Sequence, residues 1–162
     1  MIEALVSVLI IASGILGFVG MQAQTTVLQI EAYQRAQALI IVNDMAQRLT
    51  LNQGSAASYV GSNVGTSAPG NCAAAATTAT RDLCEWALLL RGEGVMSGTT
   101  AVGAMPGARG CITSTVANQY VISVAWLGMQ STGAPVNACG KDAYSAETLR
   151  RAVTTVVRVA TL

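Results

Sequence analysis

Histidine is absent from all 162 residues, which removes the Ser-His and Cys-His nucleophile pairs and the usual mixed Cys/His zinc sites. Charge is scarce too: Asp, Glu, Lys and Arg make up 10% of the chain and the formal net charge is +1. No basic field draws nucleic acid and there is no acidic tail, so no nucleic-acid partner is expected. The four cysteines, Cys72, Cys84, Cys111 and Cys139, form no C-x-x-C pair. Their spacing suits two disulfides in an oxidising compartment better than a metal site, and no metal or cofactor is expected. The scattered carboxylates Asp82, Glu85, Glu93, Asp142 and Glu147 make no paired motif. A membrane-tethered enzyme is therefore a remote alternative, and no catalytic residue is expected. Proline is missing before Pro69, and glycine between Gly20 and Gly54. One helix can thus run over residues 1–52, roughly 75–80 Å at 1.5 Å per residue.

What is present first is an apolar run, "MIEALVSVLIIASGILGFVGMQ", with no charge from Ala4 to Ile30. Residues 1–22 reach the length of a membrane-spanning helix, for which about 20 residues are needed. Its single charge is an acid at the outer edge, Glu3, where a secretory signal would carry a basic region, and no A-x-A-like cleavage site follows. Gly14, Gly17 and Gly20 recur every third residue. In water each costs a helix roughly 1 kcal/mol against alanine, but in lipid such residues let neighbouring helices approach closely, so they are candidate helix-packing positions.

Helical periodicity then continues in amphipathic form. Ala38, Ile41, Val42, Met45 and Leu49 fall on one stripe, and Glu31 with Arg35 and Asp44 with Arg48 are acid-before-base i,i+4 pairs. Residues 53–79, rich in Gly, Ala, Ser and Thr without a sustained apolar period, read as a long surface loop. A short helix over 82–91 follows, with Asp82 and Glu85 at capping-box spacing, an apolar stripe of Leu83, Trp86, Ala87 and Leu90, and Arg91-Gly92 as its stop. The remainder reads as antiparallel sheet: two β-rich runs around Ala117-Asn118-Gln119 form a hairpin, with Tyr120, Ile122, Val124 and Trp126 on one face. In the last run Arg150, Ala152, Thr154, Val156 and Arg158 share the face expected to be solvated. Arg150, Arg151 and Arg158 read as ordinary solvated or capping charges. Four cysteines allow three connectivities; Cys72–Cys84 with Cys111–Cys139 is favoured because each bond closes one long loop without tying the two together.

The start M-I-E, the uninterrupted apolar helix passing into an amphipathic one, and the stapled antiparallel C-terminal part of residues 53–162 together resemble the type IV pilin superfamily. The resemblance implies an α+β fold, with a long N-terminal helix on a small antiparallel head. It also implies a glutamate at the fifth mature position, here Glu3, with Met1 and Ile2 in the two positions before it. A short basic leader, cut by a prepilin peptidase, and an N-methylated first residue would precede them. Within the superfamily, "EALVSVLIIASGILG", "LCEW", "GARGCIT", "VISVAWLG" and Arg150-Arg151 are similar to the PilV-type minor pilins and the related I-type pseudopilins of type II secretion. The implied role is structural: assembly and register through Glu3 and a terminal amine. The implied partners are other minor pilins, the major pilin and a tip adhesin, first in the inner membrane with a periplasmic head and then in an extracellular pilus.

Overall fold

The computed structural model describes residues 2–98, 100–101 and 103–160. Met1, at the start of the expected helix 1–52, and Thr161 and Leu162, at the end of the expected head 53–162, lie outside the described residues. The fold is α+β. Helix α1 (Ile2–Leu51) is followed by α2 (Thr78–Leu90) and by a four-stranded antiparallel sheet. The sheet strands are β1 (Gly61–Val64), β4 (Arg109–Val116), β5 (Gln119–Leu127) and β6 (Arg150–Arg158), in the order β1-β4-β5-β6; β2 (Met96–Ser97) and β3 (Thr100–Ala101) pair separately. The chain divides after Gln34 into two compact units.

In the first unit α1 is long and apolar enough to cross a membrane, and its side chains from Ile2 to Thr26 are exposed. The hydroxyls of its serines and threonines are satisfied within the helix. Ser7, Ser13, Thr25 and Thr26 donate to the carbonyls of Glu3, Leu9, Met21 and Gln22 at 2.8–3.0 Å, the arrangement a polar side chain needs where water is absent.

The second unit begins at Arg35, and its core forms where the predicted helical stripe meets the predicted sheet face. Ala38, Ile41, Val42, Met45 and Leu49 are no more than 7% exposed, and they share one cluster with Trp86, Leu90, Ile112, Tyr120, Ile122, Val124, Trp126 and Val153. The indole N–H of Trp86 donates to the Ile41 carbonyl at 3.0 Å, so the buried polar atom of the largest core side chain is paired. Gly110 makes room for that ring, since a Cβ there would fall 2.2 Å from Trp86. The β4–β5 hairpin turns at Ala117-Asn118, with Asn118 at φ 60°, a conformation asparagine tolerates better than most residues.

Three expectations need correction. First, α2 starts at Thr78, not at 82. Thr77 and Thr80 form a reciprocal capping box that satisfies the first N–H groups, which leaves Asp82 free for another partner. Its end is as the Arg91-Gly92 signal implied: Gly92, at φ 78°, donates to Leu89 and Glu93 to Leu88, a Schellman closure. Second, the 53–79 segment is not all loop. It holds 3-10 turns at Gln53–Tyr59 and Cys72–Ala74 and strand β1, which pairs Gly61 with Ile112 and Val64 with Gly110. These elements are short and held by distant partners, so local periodicity carries no sign of them. Third, Arg150 is not solvated. Thr154, Val156 and Arg158 are exposed, but Arg150 is 2% exposed.

Candidate assembly interface

Glu3 lies in the first turn of α1, exposed, at the edge of the apolar segment. A helix N-terminus favours an acid there, by about 0.3–1 kcal/mol in water. Within lipid a lone carboxylate is costly and is usually paired with a cation. Gly14, Gly17 and Gly20 follow along one side of the same segment, and a Cβ added at any of them would meet nothing within 4 Å. The side chains of residues 2–21 therefore present a backbone-accessible apolar surface with one acidic end.

The second unit is locked by two arginine-centred networks. In the first, Arg48 Nε donates to Asp44 at 2.8 Å, and its Nη1 reaches Asp82 at 3.2 Å and Glu85 at 2.5 Å. Tyr59 donates its hydroxyl to Asp82 and accepts from Asn52 at 3.0 Å. Burial would lower the pKa of Arg48, but its hydrogen bonds to Glu85 and Asp44 outweigh that and hold it above the usual guanidinium value. Burial, assisted by the bond to Asp82, pushes Tyr59 up to about 12. The Asp44–Arg48 pair is legible as i,i+4 spacing. The convergence of Asp82, Glu85 and Tyr59 on it is not, because it joins α1, α2 and the 53–59 turn.

The second network holds the loop between β5 and β6. Cys111 is bonded to Cys139, with Cα atoms 5.8 Å apart, and Cys72 to Cys84, with Cα atoms 5.5 Å apart. Beneath the first bond, the buried Arg150 donates from Nε to Glu147 at 2.7 Å, from Nη1 to the carbonyls of Asn137 and Cys139, and from Nη2 to that of Pro135 at 2.9 Å. The hydrogen bond from Arg150, helped by the Asp142 N–H, lowers the pKa of Glu147. Tyr144, its pKa raised by burial, donates to Gly107 at 3.0 Å and lies 5.0 Å beneath the Arg109 guanidinium. Arg151 donates to the Thr148 and Gln130 carbonyls. Of the three arginines read as solvated or capping charges, Arg158 is exposed, while Arg150 and Arg151 cap carbonyls of the loop before β6. The available signal is position: an arginine opening a strand after a long loop faces that loop's unpaired carbonyls.

Both networks place cations against carboxylates and carbonyls that hold elements together. The structure thus gives an α+β chain with a candidate membrane helix and two disulfides, an architecture consistent with a type IV pilin-like fold. No protein-family model, curated protein or solved structure matches the chain.

Proposed function

We propose that the chain is a minor pilin of a type IV pilus, of the PilV type: a structural subunit that helps start the fibre in a complex of minor pilins beneath a tip adhesin, and so supports twitching and adhesion. The observation that carries this reading is the lone acid Glu3 at the edge of an otherwise uncharged, exposed helical segment, residues 2–26, whose helix continues into the core of a disulfide-stapled α+β unit. A carboxylate there needs a cation as the helix leaves lipid. In pilins that cation is the processed N-terminal amine of the same or an adjacent subunit, and the pairing sets the axial register of stacked helices. Gly14, Gly17 and Gly20 supply close-approach positions for those neighbours. On this reading the prepilin peptidase processes the chain, which waits in the inner membrane with the second unit in the periplasm before joining the pilus. The alternative within the superfamily is a pseudopilin of type II secretion.

Deletion of the gene separates the two. A minor pilin predicts fewer pili of unchanged diameter and impaired twitching. Unchanged piliation and twitching with arrested secretion of folded enzymes would replace it with the pseudopilin.

A further inference from the structure

Strand β6 pairs with β5 from Gln119–Arg158 to Leu127–Arg150 without a register shift. Val159 donates to the Asn118 carbonyl at 2.9 Å, and Gly128 to that of Leu149 at 2.8 Å. These bonds fix the phase of the antiparallel ladder, in which alternate residues point their backbone groups to opposite sides. Arg151, Val153, Thr155 and Val157 therefore aim theirs at β5, while Ala152, Thr154, Val156 and Arg158 aim theirs outward. Among the described residues no strand lies on that side. The edge contains no proline or bulge, and of its three charges Arg150 is buried and Arg151 donates to the loop before it, so Arg158 is the one exposed charge among the devices that blunt an open edge. Its exposed side chains are β-branched except for Arg158, which has no carboxylate partner among the described residues.

We propose that β6 is a docking edge for an extended strand of a different protein chain, one that presents a carboxylate opposite Arg158. The backbone groups of Ala152, Thr154, Val156 and Arg158 supply main-chain hydrogen bonds, and Arg158 sets the register. A second copy of this chain fits poorly. Strand β6, RRAVTTVVR, contains no carboxylate, so pairing of two β6 strands in any register gives Arg158 no acidic partner. This inference stands apart from the pilus reading, since it uses only the sheet.

The test is binding of a labelled peptide, an alternating Thr-Val strand with glutamate at its N-terminal end, to the full chain in detergent micelles. Fluorescence anisotropy reads affinity, and residue-resolved amide exchange reads the edge. Binding is expected to slow exchange at Ala152, Thr154, Val156 and Arg158 at least tenfold, with no change at Val153, Thr155 and Val157. Affinity is expected to fall at least tenfold when alternate peptide nitrogens are methylated, or when the chain carries Val156→Pro. Arg158→Glu is expected to invert the preference between the glutamate peptide and its lysine counterpart. Absence of binding to the wild-type chain, equal binding of the N-methylated peptide, or self-association of the chain with protection at the same four amides would overturn the proposal. The methylated peptide keeps the test decisive if Val156→Pro fails to fold.

Discussion

Arg48 holds three carboxylates drawn from two helices, so Arg48→Met leaves Asp44, Asp82 and Glu85 facing one another with no cation. A loss of about 2–3 kcal/mol is expected, read as a lower urea midpoint for the full chain in detergent. Arg91→Ala, which removes the half-exposed pair with Glu93, should cost less than about 0.5 kcal/mol. Tyr59 provides a pH test. Its pKa is about 12 in the fold against 10.0 for an ordinary tyrosine, so its contribution is complete below pH 10 and is lost as pH rises through about 12. That window is worth about 2–3 kcal/mol, and Tyr59→Phe should be less stable at pH 8 yet lose less between pH 10 and 12. An equally steep loss in the variant would contradict the assignment. Gly110→Ala should cost about 3 kcal/mol through collision with Trp86. Residues whose role follows from a local period, such as Met45 or Trp86, are legible from the chain alone. Arg48, Arg150 and Gly110 are not, because their roles depend on groups brought together from elements far apart in sequence.

At the scale of elements, the two disulfides and the Arg150 clamp fix the irregular segments. The bonds span 12 and 28 residues, for which the chain-entropy treatment gives about 3 and about 3.5 kcal/mol. Cys111→Ser with Cys139→Ser should therefore be the more destabilising pair, as thermal unfolding would show. Arg150→Met leaves three carbonyls and Glu147 without their donor. Residues 128–149 should then lose amide-exchange protection and become protease-sensitive while β4 and β5 stay protected. Arg150→Lys should recover little, because an ammonium lacks the planar fork that reaches separate acceptors. The stripe of α1 over residues 38–49 and the alternation of β5 from Tyr120 to Trp126 are readable because their apolar positions there are buried on one face. The start of α2 is misread from sequence because two capping signals, Thr77–Thr80 and Asp82–Glu85, lie within one turn or so of each other. The hydroxyl pair forms the cap while Asp82 is drawn to Tyr59 and Arg48.

At the scale of the whole molecule, the two units have different solvents written into them. The first keeps its apolar side chains outward and its serine and threonine hydroxyls internally bonded. The second closes a core of its own around residues 38–49, the sheet and α2. In the proposed minor pilin, the first unit is a transferable surface, lipid-facing before assembly and helix-facing afterwards, and Glu3 is the group whose pairing makes that transfer specific. Substituting Glu3 should leave the second unit folded, with both disulfides intact, and should leave the protein in the membrane. The most direct measurement is the amount of Glu3→Lys protein in sheared pili, relative to the membrane fraction of the same cells. Register-setting by Glu3 predicts normal membrane levels and near-complete loss from the pili. Normal amounts of the Glu3→Lys protein in the pili would contradict it.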